Sequence, residues 1–387
     1  VVESVFSSTG AMADHRLPAR SELVALVAQQ LNAILTNGPA PSSEFLLEDR
    51  VKKFIEVLAA ELQENRGKAV ILAGRRQPPH VHALVARLNA AIGAVGTTLD
   101  YMEDVADRPS HGEAIRRLAA EIDQGQVSAL FVLGGNPAYD GPADLRFGEL
   151  LGKVEHSVHL SEYANETSAK AAWHLPRAHY LEAWGDTRTW DGTWTVAQPL
   201  IMPLYGGVSA LELVSLIAGD ELSGHDLVRA KVEQSGSGAS WRQVVHDGFV
   251  PSSQAPVVAP EPAMIAIPAV AGSQSGGSRL GNGQLEVVFT SSTTLWDGRF
   301  ANNPWLQETP DFLTKVTWDN YALVAPATAQ DIGAANGDVV KIRAGGREIE
   351  AAVYTMPGQA PSSIGLVLGG GRTRAGKVGG DGKKKIG

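Results

Sequence analysis

"LFVLGGNPAYDGPADL", residues 130–145, decides how this chain is read. An apolar run, Leu130 to Leu133, stops at Gly134-Gly135, and Asn136-Pro137 open a stretch able to turn into a helix. A short apolar run bounded by Gly and Pro predicts a buried parallel strand. The loop it delivers lies at the carboxyl edge of a sheet, where phosphorylated ligands and cofactors bind in open α/β folds. Glycine lets the backbone bend sharply toward a ligand, and Asn136 brings both donors and an acceptor to the strand's end. The same residues also suit a plain strand-to-helix connection. The motif alone leaves both readings open.

Working outward, "SELVALVAQQLNAIL" (21–35) predicts a helix with Ser21 as N-cap, and a second helix follows at about 46–64. "KAVILAG" (68–74) reads as a short buried strand, and Pro78-Pro79 start the helix after it, where a missing N–H needs no partner. A helix at about 112–124 leads into the strand before Gly134, and "EHSVHLS" (155–161) is a third strand. Strand, helix, strand at this spacing predicts parallel pairing with right-handed crossovers, a Rossmann-like layer. Residues 173–207 hold four of the eight tryptophans amid much Gly and Pro, an ordered irregular surface; helical pattern returns at 209–248. After a Pro, Ala, Gly and Ser-rich linker the period becomes two, at 284–290, 321–327, 337–344, 347–355 and 363–368.

The predicted architecture is α/β. Residues 1–65 form the helical end of a preceding α/β segment and 66–250 a Rossmann-like domain with a Trp-rich cap. A linker or mobile loop spans 251–283, a β-barrel domain 284–375, and a disordered tail 376–387. The chain starts at Val1 without Met and ends in "GGDGKKKIG", and it reads as an internal piece of a longer polypeptide.

With 44% apolar and 19% charged residues the chain can build real cores, and a net charge of −9 argues against a nucleic-acid partner. There is no cysteine, so thiolates of this stretch hold neither an iron–sulfur cluster nor a zinc ion. No apolar run approaches the roughly 18 residues that a membrane span needs.

"YANETSAKAAWHLP" (163–176) places Glu166 and Thr167 where a helix is expected to begin, and capping by Asn165 or Thr167 accounts for that spacing. His174 and His179 flank Pro176 without a third ligand at suitable spacing, so no metal site is predicted. Phosphate-binding P-loops, nucleophile elbows and paired catalytic carboxylates are not evident. From the residues alone this is a cofactor-type scaffold without an evident nucleophile.

In their order, these features resemble the molybdopterin oxidoreductase superfamily of the dimethyl sulfoxide reductase type. The resemblance rests on "GGNP" 134–137, "ETSAKAAWHLP" 166–176, "YLEAWGD" 180–186 and "PATAQDIGAANGDVVKI" 326–342. More closely, "ESVFSSTGAMADHRL", "NPAYDGPADLRF" and the Trp-rich block look like the molybdopterin-like, iron–sulfur large subunit of alternative complex III, a bacterial quinol:electron-acceptor oxidoreductase. The similarity covers roughly residues 1–375.

The resemblance implies a cofactor loop at Gly134, Gly135, Asn136 and Pro137, with Glu166 and Thr167 beside it. It also implies an α/β fold closed by a C-terminal molybdopterin dinucleotide-binding-like barrel. For the complex III subunit it implies a structural, non-catalytic role without molybdenum cofactor, with iron–sulfur clusters in a Cys-rich part beyond this stretch. Its partners are then a multihaem cytochrome and integral membrane subunits, on the periplasmic side of the bacterial cytoplasmic membrane. The alternative is part of an active molybdopterin-dependent enzyme binding the dinucleotide.

Departures from the active pattern favour the first reading. Trp173, His174 and Trp190 are bulky at expected cofactor-wall positions, and Thr193 stands where an Arg could pair with phosphate. The expectation is that Trp173, Trp184 and Trp190 fill the pocket, leaving only Arg188 and the distant Arg372 and Arg374 as cations.

Overall fold

The structure is a computed structural model that describes residues 1–104, 111–260 and 284–386. Helix α1 (Ser21–Thr36) buries Leu23, Leu26, Val27 and Leu31, and α2 (Asp49–Glu64) buries Val51, Ile55, Ala59 and Leu62, both at helical spacing. Helix α3 (Pro79–Ala91) has Pro in its first turn and adds Leu84 and Leu88 to the same core. Ser21 is not the N-cap of α1. Arg20 takes that place with no side-chain cap, and the carboxylate of Glu286, 265 residues away, accepts Ser21 N (2.8 Å) and Glu22 N (3.1 Å).

The strand expected at 68–74 does not form. Burial alternates along it as a strand's would, but it pairs with no other strand among the described residues. Its hydrogen bonds come instead from side chains: Asn89 bonds both the N–H and the C=O of Ile71 at 2.8 Å, and Thr98 Oγ1 donates to Ala69 O.

Helix α4 (His111–Asp123), strand β1 (Ala129–Leu133), helix α5 (Phe147–Leu151), β2 (His156–Ser161) and β3 (Trp173–Pro176) build the layer that carries the loop. The sheet order is β1-β2-β3, all parallel, with Leu133 opposite Leu160 and Ser161 opposite Pro176. Thus β3 takes the third place that 68–74 was expected to fill. β1 is an edge strand rather than a buried one. Leu130 and Val132 pack on α4 and α5, while Phe131 and Leu133 are exposed on the other face.

Beyond lie an antiparallel pair, β4 (Gly185–Arg188) and β5 (Trp194–Ala197), and three helices, α6 (Ala210–Ala218), α7 (Gly224–Gln234) and α8 (Trp241–Asp247). These helices start on Ser209, Ser223 and Ser240, each accepting a first-turn N–H, so side-chain caps set their boundaries. Of the expected linker, residues 261–283 lie outside the described residues; ahead of them, Val257–Val258 pair with Tyr101–Met102.

All five period-two runs of the C-terminal third are strands: β6 (Glu286–Ser291), β7 (Tyr321–Val324), β8 (Val339–Ala344), β9 (Arg347–Thr355) and β10 (Ser363–Leu368). They form one mixed sheet, β6-β10-β7-β9-β8, instead of a closed barrel, because β6 and β8 at its two ends do not pair with each other. Central strand β7 is buried on both faces, Ala322 and Val324 toward one core, Tyr321 and Leu323 toward another. The tail expected to be disordered also carries structure: β11 (Arg372–Gly376) pairs antiparallel with β12 (Gly380–Ile386). No helix of the described residues is long and apolar enough to cross a membrane.

Candidate functional site: the Gly-Gly-Asn-Pro loop

Where β1 ends, Gly134 N still donates to Leu160 O (2.8 Å), so the sheet holds the loop up to that point. The chain then turns through two successive left-handed residues, Gly134 (φ 87°) and Gly135 (φ 72°), which a Cβ would strain. Asn136 precedes one helical turn, Pro137–Asp140. The loop therefore sits at the carboxyl edge of the sheet, where the sequence places it.

Asn136 is buried and both ends of its amide are bonded. Its Oδ1 accepts Thr167 Oγ1 (2.7 Å) and Thr167 N (3.1 Å), and its Nδ2 donates to Glu166 Oε2 (2.7 Å). Thr167, fully buried, returns a bond by accepting Ala138 N (3.0 Å). Glu166 and Thr167 thus meet the loop as expected, but not at a helix start. Residues 163–172 form turns, and Asn165 Oδ1 accepts Thr167 N and Ser168 N within them.

Glu166 also reaches the C-terminal third. Arg372 Nη2 donates to Oε2 (2.9 Å) and Arg372 Nε to Oε1 (3.0 Å), while Oε1 accepts Thr373 N (2.8 Å) and Arg374 N (2.9 Å). Burial works to raise the Glu166 pKa, but the bonds from Arg372, Arg374 N, Asn136 and Thr373 N outweigh it and hold the carboxyl at about 2. Buried Arg372 donates as well to Gly298 O, and its guanidinium lies 4.9 Å from the Tyr139 ring centroid. Tyr139 donates to Gly370 O (2.7 Å), and burial pushes its phenol up to about 12.

Beneath the loop, fully buried His159 contacts Gly135 O through Nε2 (3.2 Å) and Ser168 Oγ through Nδ1 (2.7 Å); Ser168 Oγ lies 3.0 Å from His174 Nδ1. The Gly135 carbonyl can only accept, so His159 carries its proton on Nε2 when neutral. Burial lowers both imidazole pKa values.

The tryptophans do not fill the loop's pocket. Trp173 is 67% and Trp190 86% exposed, and Trp184 packs with His225 and Trp241 (5.0 and 5.6 Å between centroids). Arg188 is also elsewhere, bonded to Gly192 O and Ser253 O. The cation that sequence reading missed is Arg177: its Nη1 stands 2.6 Å from where a Cβ on Gly134 would be. Its guanidinium has no bonded partner among the described residues, nor have the N–H groups of Gly135 and Asn136. Arg177 directly follows Pro176, the end of β3, so recognition of "WHLP" as a parallel neighbour would have placed it at this edge.

No protein-family model matches the chain, and no curated protein sequence matches it. Among solved structures the chain is similar to acetylene hydratase from Pelobacter acetylenicus, with a TM-score of 0.60 and 13% identity over 98% of this chain and 68% of that one. At that identity the likeness shows the fold: mixed α/β with parallel sheets, consistent with the molybdopterin oxidoreductase-like architecture that the motifs suggested.

Proposed function

We propose that this chain is the structural, molybdopterin-like part of an iron–sulfur subunit in a membrane-bound quinol-oxidising complex of the alternative complex III kind. The observation that carries the structural role is the Glu166 hub. Asn136 of the cofactor-type loop bonds Glu166 and Thr167 beside it, and Glu166 in turn bonds Arg372, Thr373 and Arg374, which fastens the α/β layer to the C-terminal strands. The fold likeness to acetylene hydratase supports the general kind of protein, and the quoted motifs support the complex III subunit within it.

The group this superfamily implies is a pterin dinucleotide. One end of the loop suits a single anionic group, through Arg177 and the N–H groups of Gly135 and Asn136. The other end is closed by the saturated Glu166 carboxylate, which repels phosphate. The residues present fit one phosphate and not the whole dinucleotide. Arg177 is the observation that favours the second reading, an active molybdopterin-dependent oxidoreductase.

Metal analysis of the intact parent protein in its complex separates the two. Iron without molybdenum, and no pterin released on denaturation, is the outcome expected here. Stoichiometric molybdenum with a released dinucleotide would establish the active enzyme instead.

A further inference from the structure

A cleft of about 1990 Å³ lies between α1, α2, the N-terminal residues, residues 70–78 and β6, far from any residue of the Gly-Gly-Asn-Pro loop in sequence and lining. Along residues 69–73 the backbone groups divide into two sets, as in any strand, where successive residues point to opposite sides. One side is satisfied by side chains: Thr98 Oγ1 donates to Ala69 O (2.8 Å), and Asn89 bonds both groups of Ile71. On the other side, the N–H and C=O of Val70 and Leu72 have no partner among the described residues. Their side chains are 42% and 79% exposed and line the cleft. β6, an end strand of the five-stranded sheet, lines it too.

An alternating row of peptide donors and acceptors is matched by another extended peptide, which supplies the same groups at the same spacing. The same edge of a second copy is flanked by Lys68 at one end and Arg75 and Arg76 at the other, so it does not complement this one in charge. The charges add a further requirement. Of the ionisable side chains lining the cleft, Arg50, Lys53, Arg75 and Arg76 form no ion pair among the described residues; of the acids Asp49, Glu61 and Asp311, which form none either, Asp311 is engaged by Thr293, Leu313 N and Thr314. The acids Glu3 and Glu22 are paired with Arg16 and Arg20, and Glu286 caps α1.

We propose that residues 69–73 are the acceptor edge for one extended polypeptide segment from outside residues 1–387, apolar at alternate positions and acidic at one end. It adds as a strand through Val70 and Leu72, and its acidic end faces Arg75 and Arg76.

The test uses the chain 1–387 and a synthetic peptide alternating Val and Thr with a Glu pair at one end, followed by amide exchange. In the free chain the Val70 and Leu72 amides exchange fast, and the peptide slows them by about tenfold or more. N-methylation of the peptide's pairing residues weakens binding about tenfold, whereas N-methylation of the alternate residues does not. Arg75→Glu with Arg76→Glu also weakens binding. Amides already protected in the free chain would show the edge closed from within and overturn the proposal. So would a peptide that fails to bind, or one that binds equally well whichever residues are methylated, which is adsorption to an apolar surface.

Discussion

The Glu166 carboxylate lies 2.9 Å from Nη2 of Arg372 across 206 residues of sequence, with both side chains almost wholly out of water. Two charges so placed are held less by their mutual attraction than by the penalty of separating them. Removing one leaves the other buried and uncompensated.

Glu166→Ala should therefore destabilise the chain by about 3–5 kcal/mol, because Arg372 and the Thr373 and Arg374 N–H groups lose their acceptor. Urea denaturation monitored at the C-terminal strands measures it. A loss below about 1 kcal/mol, the worth of an exposed pair, would mean the hub does not join the two parts.

The same carboxyl sets an acid limit. Its pKa is lowered from 4.5 to about 2 on folding, so its contribution is complete above 4.5 and is lost as pH falls toward 2. Stability measured across that window should fall more steeply for the native chain than for Glu166→Gln. Equal slopes would contradict the assignment.

His159 acts in a higher window. Burial lowers its pKa below 6.5, so the folded chain holds it neutral and loses stability as pH drops below 6.5, with His174 contributing in the same direction. His159→Phe should make this fall shallower. It should also cost about 1–3 kcal/mol, since Gly135 O and Ser168 Oγ lose a partner. An NMR titration of the native chain showing His159 protonating above 6.5 would reverse the sign.

Gly134→Ala should cost about 1–2 kcal/mol, because φ is 87° and the new Cβ meets Arg177 Nη1. Arg177→Gln should leave stability within about 0.5 kcal/mol, as expected for an exposed side chain without a partner. Titration of both variants with inorganic pyrophosphate tests the second functional reading. Binding lost in Arg177→Gln alone would mark a working anion site, and no binding to the native chain would remove the case for one.

Glu286→Gln should fray the start of α1, weakening its cap by about 0.5–2 kcal/mol. Faster amide exchange at Ser21 and Glu22, with the far end of α1 unchanged, is the expected signature. Unchanged exchange there would show that another group caps the helix.

Local pattern carried much of this protein. The Gly-Gly turn at a strand's end, the amphipathic helices and the period-two runs of the C-terminal third depend on neighbours within a few residues. They are legible because backbone sterics and side-chain periodicity act over that range, whereas the cap expected at Ser21 is supplied by distant Glu286. Pairing was not legible. "KAVILAG" and "WHLP" are both short and apolar, yet only the second joins the sheet, because strand partners are chosen by what packs on each face across the fold. Five strands could be counted in the sequence, but whether the two ends met to close a barrel depended on twist and order. The tryptophans looked like pocket filling because their size was visible and their direction was not. What the sequence by itself determined was most of the helices, the C-terminal strands and the loop at the end of Ala129–Leu133. Only tertiary structure decided that the loop's carboxylate is bound to Arg372 and that Arg177 stands over Gly134. Those contacts join residues far apart in the chain, and burial there replaces water with whichever charge the fold brings near.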